Sequence, residues 1–171
     1  LVDFGIVPAA DELVDVDYEP LVRETLLLVE RRRGSRRVPP TIAFERVAGM
    51  RLIMPPRTFH TRRVVEDVAL VLHRTLNVVY EQSSPATIVS LVRAGLGATV
   101  VRSPAVEQFW VPGAVTARRI VRPEITRTIS LTRSTKRTLG AASQAVYDVV
   151  KHVAMQAMRD GHWLGAPLCS C

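Results

Sequence analysis

Cysteine is nearly missing from this chain: in 171 residues there are two, Cys169 and Cys171, both at the extreme end. A Cys-x-Cys pair is too strained a spacing for an ordinary structural disulfide, and no partner cluster of Cys or His accompanies it, so a disulfide scaffold and a zinc module are both set aside. A frayed end is the reading for this pair. Aromatic residues are also scarce, at 5%. None lies in the densest basic run, Glu30-Arg31-Arg32-Arg33-Gly34-Ser35-Arg36-Arg37. Single-stranded nucleic acid is held by cations interleaved with aromatic platforms, so this run reads as a solvated linker. Lysine is limited to Lys136 and Lys151, and the formal net charge of +7 rests on arginine, a bias that a GC-rich genome produces by itself.

No apolar run approaches the length of about 20 residues that spans a bilayer. No stretch has the order of a signal peptide, so a cytoplasmic location without membrane contact is expected. The chain has no Gly-x-Ser-x-Gly elbow and no phosphate-loop lysine. His60, His73, His152 and His162 stand at no metal spacing with one another or with Cys or carboxylates. Nothing assembles a nucleophile, a base and an orienting group. A non-enzyme without metal or cofactor is therefore expected.

What is present suffices for a packed interior: 47% hydrophobic and 23% charged residues, near the globular average. Leu1 to Val7 reads as a strand, ended by Pro8 and Ala9-Ala10-Asp11. Leu21 to Val29 is apolar enough to be buried on both faces. Beyond the arginine run and Pro39-Pro40, Thr41 is placed to cap a short helix to Val47, and Met50 to Met54 returns to strand. The spacing of Val64, Val65, Val68 and Leu72 predicts a helix over Thr61 to Thr75. Strands at Asn77 to Tyr80 and Ala98 to Val101 flank a helix that opens at Pro85 and buries Ile88, Leu91 and Val92. A short helix from Ser103 to Trp110 and a turn at Pro112-Gly113 follow. Val115 to Ile120 and Arg127 to Thr132 read as strands, and Ala141 to Arg159 as a long helix with Val146, Val149, Val150, Val153 and Ala157 as its apolar stripe. Strands alternating with helices give an α/β class with a largely parallel sheet.

Two loops carry the candidate chemistry. Arg57-Thr58-Phe59-His60-Thr61 and Ser83-Ser84-Pro85 both follow a strand and open a helix. Helix starts offer backbone N–H groups and the positive dipole end, and ligands of open α/β sheets collect there. A carboxylate or other small anion fits between them, with Thr58, Ser83 and Ser84 adding hydroxyls, Arg57 a charge-assisted contact, and His60 a possible further contact. The plainer role for the serines is to cap their own helix. Gly95-x-Gly97 closes a helix and enters a strand, the reverse of a dinucleotide fingerprint, so it reads as a structural cap.

The order of these segments resembles the effector-binding domain of LysR-type transcription regulators. Asp3-Phe4-Gly5-Ile6-Val7 is similar to that family's Asp-led strand, and Leu21 to Val29, with Glu24 before Leu26-Leu27-Leu28-Val29, to the strand that crosses between its lobes. Val47-Ala48-Gly49 with Leu52-Ile53-Met54 resembles its next helix and strand. Leu91 to Val101, through Gly95-Leu96-Gly97, is similar to its helix–Gly-x-Gly–strand signature, and Arg127 to Leu131 with the last helix complete the series.

The resemblance implies a type 2 periplasmic-binding-protein-like fold of two Rossmann-like lobes joined by crossover strands. Residues 1–29 and 121–160 would form lobe I, incomplete here, residues 30–120 lobe II, and residues 161–171 a tail. It implies a small-molecule effector, expected to be anionic, held between the lobes by Pro56, Arg57, Thr58, Phe59, Ser83 and Ser84, with Val7 and Pro8 facing them. It implies a homodimer or tetramer, with the helix Thr61 to Thr75 as an interface element. The family's winged helix-turn-helix, which would carry DNA contact, and the opening strand and helix of lobe I have no counterpart in the sequence, so an unpaired edge and exposed apolar surface are expected. The alternative function is a solute-binding protein of a transporter on the same fold; an α/β enzyme is the remaining rival.

Overall fold

The computed structural model describes residues 2–8, 13–32, 34, 37–109 and 113–168. Leu1, Ala9 to Asp11, Arg33, Ser35, Arg36, Trp110, Pro112, Cys169 and Cys171, all used in the sequence reading, lie outside the described residues. The chain forms two compact units: unit 1 is Leu1–Glu24 with Thr126–Cys171, and unit 2 is Thr25–Ile125. Strand β2 (Val16–Arg31) runs through the first boundary. Both boundaries fall a few residues to the unit 1 side of the division drawn from the sequence.

Unit 2 is built on the apolar second half of β2. It pairs antiparallel with β6 (Thr99–Arg102) and β7 (Val115–Val121), so that Leu28 stands opposite both Val100 and Arg118. Strand β3 (Thr41–Ala43) runs parallel to β7, with Ile42 beside Ile120. The period-2 alternation of strands sorts side chains into two cores. Leu26 and Leu28 pack with Ile42, Phe44, Leu52, Met54, Val65 and Ile120. Val29 and Ile53 pack on the other side with Ile88, Val89, Val92, Phe109 and Val115. Helices α1 (Phe44–Ala48) and α2 (His60–Val71) serve the first core; α3 (Pro85–Arg93) and the 3₁₀ turn Ser103–Phe109 serve the second. Between them, β4 (Leu52–Met54) lies parallel to β5 (Val78–Glu81).

Thr41 departs from expectation. It opens β3 and not a helix, because pairing with β7 captures residues 41–43 and delays the helix to Phe44. Tertiary pairing has overridden a local capping preference.

In unit 1, β1 (Phe4–Pro8) pairs antiparallel with β8 (Thr126–Ser134), Ile6 opposite Leu131. Helix α4 (Ala141–Arg159) turns Tyr147 and Ala154 onto Leu21, Val22 and Leu131, with Val150 and Met158 packed beside them. The Phe4 and Tyr147 rings meet edge to face at 5.5 Å. The stripe read from the sequence is therefore displaced: Val146, Val149 and Val153 are each more than half exposed. The helix carries two interleaved apolar stripes, and the one containing Tyr147, whose hydroxyl donates to Glu19, faces the core. β1 is also uncovered on one side, with Ile6 51% exposed. A last strand, β9 (Gly165–Pro167), lies antiparallel on Val22 to Glu24 of β2, within the residues expected to form a tail.

Two measurements check this arrangement. Leu28→Ala should lower the stability of unit 2 by about 2–5 kcal/mol, as buried Leu truncations do, while Val149→Ala on the exposed stripe should change stability by no more than about 0.5 kcal/mol; urea unfolding of both variants decides. Burial, with the hydrogen bond to Glu19, pushes the Tyr147 hydroxyl up to about 12 from 10.0. A raised value means that stability is complete below pH 10 and is lost as pH rises toward 12; Tyr147→Phe should flatten the alkaline limb of the unfolding profile.

Candidate functional site

The site begins with two strands that end side by side. Met54 at the end of β4 is paired with Glu81 at the end of β5, and the Gln82 N–H donates to the Met54 carbonyl at 3.0 Å. Because the strands are parallel, both chain segments leave the strand pair at the same end. Each turns into a helix within a few residues: α2 at His60 and α3 at Pro85.

The two starts are built differently. Ser84 is the N-cap of α3, with extended backbone (φ −82°, ψ 117°), and its Oγ accepts the Thr87 N–H at 3.4 Å. Pro85 follows at the first helical position, where its missing N–H costs nothing. The capping role expected of Ser84 is thus occupied, and its hydroxyl hydrogen is left to donate. Helix α2 has Phe59 at its N-cap and no side-chain cap. Its entry is a tight turn closed by the Phe59 N–H on the Pro56 carbonyl at 2.9 Å.

Pro56, Arg57, Thr58, Phe59, His60, Ser83 and Ser84 all lie on these two segments of unit 2. Thr58, Ser83 and Ser84 are exposed, and Phe59 is 45% exposed. Val7 and Pro8 belong to unit 1, in β1, where they pair with Ser130 and Ile129. Arg57 is engaged: its Nε lies 3.1 Å from both carboxylate oxygens of Glu66, one turn and a half into α2.

Glu66 also accepts Arg62 Nη2 at 2.8 Å. Arg62 is the anchor of the arrangement. Its side chain is only 6% exposed, it donates to the Pro55 carbonyl at 3.4 Å, and it stands 3.9 Å from Glu81. One buried cation therefore touches the loop before α2, the body of α2 and the last residue of β5. Arg57, Arg62 and residues 78–81 also line an open cavity of about 600 Å³, which does not include Ser83 or Ser84. The sequence reading did not single out Arg62, Glu66 or Glu81; the four-residue spacing of Arg62 and Glu66 on a helix was the available signal.

Burial raises the Glu66 carboxyl, but hydrogen bonds from Arg62 and Arg57 outweigh it and hold the group below its ordinary 4.5. A lowered carboxylate contributes stability above 4.5 and loses it as pH falls through the folded-state value. Glu66→Gln should therefore be less stable than the parent at neutral pH, and the gap should close below about pH 4.5 in acid unfolding curves.

Gly95-x-Gly97 is structural, as expected. Gly95 takes φ +79° just past the α3 C-cap Ala94, and the Gly95 and Leu96 N–H groups donate to Val92 and Leu91 carbonyls, the pattern of a left-handed helix cap. At Gly97 a Cβ would lie 2.8 Å from the Arg51 carbonyl oxygen and 2.9 Å from Ile53. The motif closes α3 and lets the chain pass tightly against β4.

Known proteins resemble this chain in sequence and in fold. The LysR substrate binding domain family model matches residues 1–155. The chain is 28% identical over 163 residues to the uncharacterized HTH-type transcriptional regulator YfeR of Shigella flexneri, covering 94% of this chain and 52% of that protein. It is 28% identical over 157 residues to the HTH-type transcriptional regulator BbuR of Bordetella bronchiseptica, covering 90% and 47%. The chain spans about half the length of the curated relatives it matches. Among solved structures, the regulatory domain of CcmR from Synechocystis PCC6803, in complex with 2-PG, aligns with a TM-score of 0.77 at 20% identity, over 89% of this chain and 73% of that one. The effector-binding domain of QuiR, in complex with shikimate, aligns with a TM-score of 0.73 at 17% identity, over 90% and 72%. These two share the fold, which is periplasmic-binding-protein-like. With the family model covering most of its length, the chain belongs to the LysR substrate-binding domain family.

Proposed function

We propose that this domain senses a small anionic metabolite at the paired helix starts of unit 2. The observation that carries the reading is the parallel pairing of β4 with β5, which brings the Pro56–His60 and Ser83–Ser84 segments to one edge. Two positive helix ends at one edge favour an anion. Thr58 and Ser84 supply hydroxyl donors to it. Arg57 supplies charge, and its present partner does not hold it fast: the Arg57 side chain is 77% exposed, and exposed ion pairs are worth about 0–1 kcal/mol. Arg57 can exchange Glu66 for a ligand at little cost, while buried Arg62 keeps Glu66 in place. Two structural relatives, of CcmR and QuiR, hold small molecules, 2-PG and shikimate, which supports a ligand role for the fold.

Binding acts on transcription by altering how copies of the regulator pack. A ligand shifts an equilibrium only through differential affinity for the two arrangements. The C-terminal end of α2 suits such packing: Leu70 and Val71 are 74% and 76% exposed and Leu72 39%, an apolar patch of the kind that marks interfaces. DNA contact belongs to the part of the regulator outside this segment.

Native mass spectrometry of the full-length regulator, gently released from lysate, should show a homo-oligomer carrying a low-mass adduct. Thr58→Val combined with Ser84→Ala should weaken binding of that adduct more than about tenfold, since hydrogen bonds to charged groups contribute roughly 1.5–3 kcal/mol each. Unchanged affinity in the double variant sinks the site assignment. A monomer without adduct sinks the sensor reading.

A further inference from the structure

We propose that the segment Trp163–Leu168 is a releasable strap that guards the edge of β2 where that strand passes from unit 1 to unit 2. The strap follows α4 and lies after the residues 1–155 that the family model matches.

Three observations define it. First, β9 is short and exposed along its length, and it pairs with the stretch Val22 to Glu24, the last residues of unit 1 on β2. The Leu168 N–H extends the pairing by donating to the Leu21 carbonyl at 3.1 Å. Second, the strap is pinned by one buried charge. The Glu24 carboxylate is 1% exposed; it pairs with Arg127 and accepts the indole N–H of Trp163 at 2.8 Å. A buried ion pair is favourable only when its remaining lone pairs are satisfied, and Trp163 satisfies one. Third, contact depends on a glycine. A Cβ on Gly165 would fall 2.3 Å from the Arg23 carbonyl oxygen and 2.9 Å from Glu24 Cα. Both atoms are backbone, so any side chain there forces the strap off the strand.

The closed strap occupies a strand edge that would otherwise offer unpaired N–H and C=O groups to another chain, and it keeps water from the Glu24–Arg127 pair. With so few residues paired, its opening is a local event separate from unfolding of the unit 1 core. Closed and open forms differ at the point where β2 enters unit 2, which makes the strap a regulatory contact and not a frayed end.

Hydrogen exchange of the intact regulator, read by mass spectrometry, tests this. In the parent protein, peptides covering residues 21–24 and 165–168 should be protected relative to exposed loops. Gly165→Ala removes the fit without touching a charge, and Trp163→Phe removes the indole donor while keeping a ring. Each should raise exchange in those two peptides at least tenfold and leave residues 129–132 of β8 unchanged. If neither variant changes exchange there, the strap is not held by these contacts and the proposal fails. If β8 accelerates to the same degree, the segment is an inseparable part of the core and the proposal fails as well.

Discussion

The constraint on which unit 2 depends is the parallel pairing of β4 with β5. A tight hairpin cannot join two parallel strands; the connection must cross over the sheet, and here α2 makes the crossing. That requirement fixes the site's geometry before any ligand is considered. Leu52 is held through its N–H to the Asn77 carbonyl at 2.8 Å, and Ile53 through its N–H to the Ala98 carbonyl at 2.8 Å. Strand β4 is thus gripped on both sides by segments that arrive from different helices. Leu52 and Met54 face one core and Ile53 the other, so a slip of one residue would exchange the faces and empty both cores. The C-terminal end of this strand leads to the paired helix starts; its N-terminal end lies against Gly97, whose missing side chain lets the chain approach Arg51.

Local chemistry made much of this legible. Ser84 followed by Pro85 states a helix start by itself, and Gly95 states a helix end. The family resemblance, carried by the same segments, supplied the lobe organisation. What was not legible depended on contacts between distant residues. Thr41 has the character of a cap, and only the neighbouring β7 makes it a strand residue. β2 begins at Val16, well before Leu21, because its first residues take their order from partners such as Lys151 and Tyr147 on Glu19. Gly165-Ala166-Pro167 has no strand propensity, and its pairing follows from the shape of β2. The stripe on α4 was ambiguous for a different reason: two apolar stripes fit a helical period, and the choice between them lay in a tyrosine hydroxyl and its carboxylate. At the candidate site the loops were readable, while Arg62, which ties them together, was hidden because a buried arginine looks like any other in sequence.

The arginine content gains a meaning that composition alone did not supply. Arg118 donates to the Pro39 and Thr41 carbonyls and to Glu30, fastening β7 to the segment that enters β3. Arg31 and Arg51 donate to the Ala94 and Leu96 carbonyls at the end of α3, where cations complement the negative end of the helix. Planar, multi-donor guanidinium groups suit such work better than ammonium groups. Several of the arginines that make up the net charge of +7 therefore also act as fasteners within the units.

The same stapling sets how the chain meets a trypsin-like protease. Such an enzyme cuts after arginine or lysine, but only where an extended segment can be drawn into its cleft. Arg62, Arg118 and Arg127 have side chains 6%, 10% and 10% exposed and are tied to carboxylates, so their peptide bonds are closed to attack while the units stay folded. Digestion fragments of the native protein thus report which arginines are structural.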